Sequence, residues 1–186
     1  MTWSIIARDP ASGAFGVAIA TRFFAVGALC PHAASGIGAL STQALVNPHY
    51  GKQGLDLLRA RVPAPEVVKH LTAPDEGREH RQLHVIDAAG RVGQHTGKQC
   101  VDWCGAVSGE GYSVAGNMLA NERVVRETAK AFEAPRNLLP SGCWPPSTPA
   151  KRRAATSAAS SRRRCSSTRP RSIPSSACAW TTTRTR

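Results

Sequence analysis

Thr2 is the first residue of this 186-residue chain whose type and place offer chemistry. Initiator methionine is generally removed when a small side chain follows it, so the mature chain is expected to open on Thr2. A hydroxyl then sits beside a free α-amine, a nucleophile with its own base. The amine, with a pKa of about 7.7–8.0, suits proton transfer at neutral pH. Many chains begin Met-Thr, and an ordinary first strand residue stands as the alternative.

Other polar residues interrupt apolar stretches. Arg22, in TRFFAVG, can bind a substrate carboxylate or hold the amine's pKa down by like-charge repulsion. A strand-end Arg reaching solvent is the equal alternative. Thr42, Gln43 and Asn47, in STQALVNPHYG, are expected to line a pocket. For Asn47, local turn bonding before Pro48 competes with that role. His95 and Asp102 have no spacing that supports an acid–base pair, and His95 reads as a hydrogen-bonded structural residue. The run PDEGREHR reads as a solvated loop. Cys30, Cys100 and Cys104 read as small buried thiols, since CxxxC alone is a poor zinc signature. Their odd number points weakly to a reducing compartment. The glycines of GYSVAG and GIGAL fit neither phosphate-binding pattern. We expect no metal and no cofactor.

The elements that position these residues follow from periodicity. Thr2–Arg8 is a strand, ended by the turn DPASG, and Ala14–Thr21 returns with Phe15, Val17 and Ile19 on one face. Its other face, Gly16, Ala18 and Ala20, is small enough for a further layer to approach. Ile37–Ala44 is a third strand. Helices over Lys52–Arg61 and from Pro65 onward follow, then a hairpin of Gln82–Ile86 and Val92–Thr96. Val107 and Tyr112–Ala115 mark two more strands, and Asn121 caps a last helix. Antiparallel strands interleaved with a helix pair indicate an α+β domain, not a doubly wound sheet.

Composition changes sharply near Leu138. Residues 1–138 carry 14 Lys+Arg against 12 Asp+Glu, and residues 139–186 carry 10 against 0, so the tail supplies +10 of the +12. Its Arg, Ala, Ser, Cys and Trp show no helical or strand period. It is expected to be a basic, low-complexity, disordered tail appended to a 1–138 domain. We read it as the product of a shifted reading frame in a GC-rich gene. Starting each codon one nucleotide earlier, with G or C preferred at most wobble positions, allows the stretch after Pro140 through Ala159 to be re-read as ERLLAALDAGEAAGGDKRG and Arg162–Arg186 as SAALLVYSTEVYPFERLRVDDHTDP, with slight freedom at several places. Both strings contain acids and regular patterns. No apolar run is long enough to span a bilayer and no secretory signal is visible, so a cytoplasmic location is expected.

The pieces SIIARDPASGAFGVAIATRFFAVGA, GIGALSTQALVNPHYGKQGLDLLR, HVIDAAGRVGQHTGKQC and GEGYSVAGNML closely resemble the family called domain of unknown function 1028. That family is grouped with the N-terminal-nucleophile (Ntn) hydrolases largely by fold. The resemblance implies a four-layer αββα sandwich and hydrolysis of an amide-type C–N bond in a small-molecule substrate. Thr2 Oγ would attack the carbonyl, and a backbone N–H or the Asn117 amide of GNML would stabilise the oxyanion. The family's GGDKRG-like and VDDHxDP-like segments occur only in the shifted frame, so the domain is expected to lack its last helix and strands. No specific nucleic-acid or membrane partner is expected, and a homo-oligomer stands open. The competing functions are a non-catalytic small-molecule-binding member of the fold and nucleic-acid binding through the basic tail.

Overall fold

A computed structural model describes residues 1–134 in full and residues 177–183 as backbone. Nine strands form two antiparallel sheets. The first holds β1 (Thr2–Arg8), β2 (Phe15–Thr21), β7 (Trp103–Gly109), β8 (Tyr112–Leu119) and β9 (Ala177–Thr183), in the order β7-β8-β1-β2-β9. The second holds β3 (Pro31–Ala34), β4 (Gly38–Ala44), β5 (Arg81–Asp87) and β6 (Val92–Thr96), in chain order. Three helices complete the fold: α1 (His49–Arg59), α2 (Ala64–Thr72) and α3 (Arg123–Glu133).

Period-2 alternation gives each strand two faces; the inter-sheet faces are covered, and helices cover much of the outer ones. Leu40, Leu83 and Val85 of the second sheet pack with Tyr50 and Leu58 of α1 and Val67, Val68 and Leu71 of α2. The opposite faces of the two sheets meet through Ile6, Phe15, Val17, Ile19, Ala39 and Ile86. On the far side of the first sheet, Ala7, Tyr112, Val114 and Leu119 pack under Val125 and Ala129 of α3. The layers therefore run helix, sheet, sheet, helices. The α+β class and the antiparallel pairing agree with the sequence reading.

Close approach of α1 depends on glycine. A Cβ on Gly54 would lie 2.6 Å from Leu40 Cδ2. The β1–β2 turn is closed by Gly13 at φ 67°, with its N–H on the Asp9 carbonyl at 2.8 Å. Asn121 Oδ1 accepts the Arg123 N–H at 3.0 Å, the cap that its position predicted.

Three features depart from the sequence reading. A short strand, β3, precedes β4; PHAA is too short and too weakly alternating to announce itself. Helix α1 begins at His49, earlier than Lys52, because Tyr50 is drawn into the core at 1% exposure. Within the tail, for which no element was foreseen, Ala177–Thr183 pairs with β2 from Phe15↔Thr183 to Thr21↔Ala177. Its run of Trp and Thr carries the β-propensity that such pairing uses. The rest of the tail reading, over 139–176 and 184–186, lies outside the described residues. The small face of β2, Gly16, Ala18 and Ala20, is half-buried, and α3 packs over β7 and β8 instead.

Candidate active site

Thr2 opens β1 at one end of the sandwich, on the face that looks toward the second sheet. The register places Thr21 of β2 on one side of it and Asn117 of β8 on the other. Thr2 Oγ1 lies 2.9 Å from Thr21 Oγ1. Thr21, only 2% exposed, donates its single hydroxyl hydrogen to the Met1 carbonyl at 3.3 Å and accepts the Phe23 N–H at 3.1 Å. With that hydrogen committed, the Thr2 hydroxyl is the donor in the Thr2–Thr21 contact. Met1 caps the position, its ammonium 3.8 Å from Met118 Sδ.

Behind these residues a seam of polar side chains runs between the sheets, and its hydrogen bonds have one consistent direction. Ser4 Oγ donates to Gln43 Oε1 at 2.7 Å, so its oxygen must accept from His84 Nε2 at 2.9 Å. Burial pushes the His84 imidazole down to about 3, so the ring is neutral and Nδ1 is an acceptor. Ser113 Oγ supplies that hydrogen at 2.9 Å and in turn accepts from Gln94 Nε2 at 2.8 Å. At the other end, Gln82 Oε1 accepts from Gln43 Nε2 at 2.7 Å and from Asn117 Nδ2 at 3.0 Å. Gln82 Nε2 then serves Thr96 Oγ1 at 3.0 Å and the Gly116 carbonyl at 2.9 Å. A buried polar group costs free energy unless paired, and these are paired. The seam holds the Asn117 amide through its bond to Gln82 Oε1, next to Thr2 in the register.

The sequence-derived candidates separate by strand face. Thr2, Asn117 and Gln43 face the inter-sheet space. Thr42 shares the Leu40 side of β4, toward the helices, with its buried hydroxyl unpartnered. Asn47 is engaged elsewhere: its Nδ2 meets Asp75 Oδ2 at 3.1 Å and its Oδ1 caps His49 N at 3.1 Å. Arg22 follows Thr21 at the same end as Thr2, exposed and without an ion pair among the described residues. His95 Nε2 contacts the Arg78 carbonyl at 2.8 Å, the structural kind of role foreseen for it.

PDEGREHR is not merely a solvated loop. Asp75 collects Tyr50 Oη at 2.7 Å, Arg81 Nε at 3.0 Å, Asn47 Nδ2 and the Gly77 N–H at 2.9 Å. Burial acts to raise its carboxyl, but the bonds from Arg81, Tyr50 and Asn47 outweigh it and hold the group well below the ordinary carboxylate range. Among the described cysteine side chains Cys30 alone is buried, and burial pushes its thiol up to about 11. Cys100 and Cys104 are half-buried. No group of three His, Cys, Asp or Glu among the described residues is placed to hold a metal ion. No helix among them is long and apolar enough to cross a membrane.

Sequence reasoning missed Thr21, Ser4, Gln82, His84, Gln94 and Ser113. The signal was present as alternate polar positions in TWSI, RQLHV and YSVAGN.

Two further properties mark the Thr2 end. Among the described residues five other than glycine have positive φ: Ala25, Ala44, Arg61, Asp102 and Met118. Arg61 is the left-handed cap of α1, with Arg61 N on Leu58 O and Val62 N on Leu57 O. The other four stand at strand ends or loops around Thr2, where left-handed backbone costs roughly 1–2 kcal/mol each. Among the described residues eight large apolar side chains are exposed, and seven of them, Met1, Phe23, Phe24, Leu29, Leu45, Val101 and Met118, belong to segments at the Thr2 end of the two sheets. Two surface cavities, of about 350 and 510 Å³, lie on the helix side of the second sheet and do not include Thr2.

A model of a family of unknown function, DUF1028, matches residues 2–141. The chain belongs to that family. The DUF1028 match takes in Thr2, Thr21, the inter-sheet seam and Asn117. A crystal structure of a DUF1028 protein from Silicibacter pomeroyi is 33% identical with a TM-score of 0.70, over 73% of this chain and 60% of that one. The chain thus spans less than two thirds of that protein's length. No curated protein matches the chain.

Proposed function

We propose that this DUF1028 chain is an Ntn-type amide hydrolase in which Thr2, exposed by removal of Met1, is the nucleophile. The observation that carries the reading is the convergence of Thr2, Thr21 and Asn117 on one face at the end of the sandwich. The helix–sheet–sheet–helix layering supports the same reading. Removing Met1 deletes the carbonyl to which the Thr21 hydroxyl donates, and frees that hydrogen to turn toward Thr2 Oγ. The new α-amine accepts the Thr2 hydroxyl proton as Oγ attacks the substrate carbonyl. The free Asn117 N–H binds the oxyanion, and the protonated amine returns its proton to the leaving nitrogen as the C–N bond breaks. Water, giving its proton to the same amine, then cleaves the Thr2 ester to release the acid and restore the hydroxyl. Gln43 holds the seam from behind, and Arg22 at the rim suits a carboxylate on the substrate.

Intact mass and N-terminal sequencing test processing; the expected chain begins at Thr2. Against a panel of small amides and ureido compounds, Thr2→Ala is expected to lose at least about 10³-fold in kcat/KM with unchanged melting, while Thr2→Ser retains part. Full activity with Met1 retained excludes the mechanism. Processing without turnover of any amide, but with saturable ligand binding, supports a non-catalytic binding role instead.

The basic tail we read as out-of-frame translation, a reading supported by the family match stopping at residue 141, close to the Leu138 boundary. The DNA across Asn137–Leu139 decides it: a gene in frame there overturns this reading.

A further inference from the structure

We infer that the Thr2 end is an interface between two copies of this chain, closed mouth to mouth around a two-fold axis. The argument begins with the segment after β2. Val26 and Cys30, both 2% exposed, anchor a single 3-10 turn, and Ala25 at φ 54° reverses the chain before it. Ala28 N bonds Ala25 O at 3.0 Å and Cys30 N bonds Val26 O at 3.0 Å. This anchored loop holds Phe24 in solvent at 90% exposure and Phe23 at 56%. A side chain that bare does not line a pocket for a small molecule; it awaits a surface.

The rest of the rim supplies that surface. Val101 and Met118 are joined by the Met118 N–H to Val101 O bond at 3.2 Å, and Met118 touches Met1. Taking about 200 Å² for a large apolar side chain, the exposed parts of the rim come to on the order of 700 Å². That is close to the roughly 800 Å² per partner of a standard interface, and large for an unpartnered patch on a monomer.

Charge selects a second copy and its orientation. Exposed ionic groups flanking the apolar rim include Arg22 beside β2 and Asp102 before β7. Neither forms an ion pair among the described residues. In the order β7-β8-β1-β2 they stand three strand spacings apart, roughly 14 Å, with the apolar residues between. A two-fold axis running perpendicular to that row of strands sets Arg22 against the partner's Asp102, and Asp102 against the partner's Arg22. The surface is therefore self-complementary, as an isologous contact requires. The two Thr2 positions then face one shared chamber. This inference does not depend on the hydrolytic reading, and Met1 loss removes only one of the apolar residues.

Sedimentation velocity of the full chain at 0.15 M salt, across micromolar concentrations, tests it. A dimer is expected. Phe24→Asp should weaken it at least tenfold without changing the circular dichroism melt, because Phe24 is 90% exposed and lies in none of the core clusters among the described residues. Arg22→Asp and Asp102→Arg should each weaken it several-fold, and the double reversal should restore it to within about threefold. A monomer at every concentration overturns the inference, as does a dimer indifferent to Phe24→Asp. Failure of the double reversal to rescue overturns the two-fold arrangement.

Discussion

His84 shows how much of the site is set by single hydrogen positions. Its ring is closed in by Ser4 and Ser113 with no charge beside it, so the neutral Nε2–H form is the one that satisfies both hydroxyls. Nitrogen-15 NMR should show a pyrrole-type Nε2 and a pyridine-type Nδ1 that stay unchanged from pH 8 to pH 5. The linkage has a definite sign. Unfolded His84 takes up a proton near its ordinary value of about 6.5, while the folded ring resists until about pH 3. Its contribution is complete above the unfolded value and is lost as pH falls toward the folded one. In His84→Gln, stability should decline less steeply with acid between those limits, by urea melts at several pH values. At this scale Thr2 and Asn117 were singled out in the sequence, one from its place after Met1 and the other from the resembling GNML segment, and the register sets them side by side. Ser4, Gln82 and Ser113 were not, because a polar residue at every second strand position ordinarily means a solvent face. Here that face meets a second sheet.

Among the elements, α1 and the start of β5 are tied by Asp75, whose side chain is 14% exposed against 16% for Arg81. Asp75→Asn keeps the shape but removes the charge that Arg81 and Tyr50 bond, and should cost about 2–3 kcal/mol at neutral pH. Because the folded carboxyl lies below its unfolded value of about 3.9, that stabilisation is present above this value and fades as pH falls beneath it. The variant should therefore lose less further stability between pH 4 and pH 2 than the parent chain. Asn47 joins this tie through Nδ2, while its Oδ1 on the His49 N–H makes the local turn bond that Pro48 had suggested. Strands β1, β2 and β6 were readable nearly to the residue because their alternation is strong. β3 was not, for want of length, and Thr42 was misdirected because STQ is buried on both faces.

For the whole molecule, the order of helical and strand periods disclosed an α+β fold. It did not disclose the pairing of β1 with β8, which joins Thr2 to Asn117 across most of the domain. Pairings of that span leave no local trace in the sequence. The edge of the first sheet is closed by β9, which leaves β2 paired on both sides. A chain ended at Leu138 should expose that edge. Its β2 amides facing β9 should exchange with deuterium faster than those of the full chain, while amides of β5, central in the other sheet, should not.

The direction shared by every bond from Gln94 to Gln82 has a further consequence. One donor turned into an acceptor sets two lone pairs or two hydrogens head to head at the next link, and the conflict can be relieved only by reversing each neighbour. The two layers are thereby keyed to a single alignment, since sliding either by two residues along its strands would bring Ile6 or Ile86 into the place of Ser4 or His84. Paired exchanges along this row should be accepted where lone ones fail.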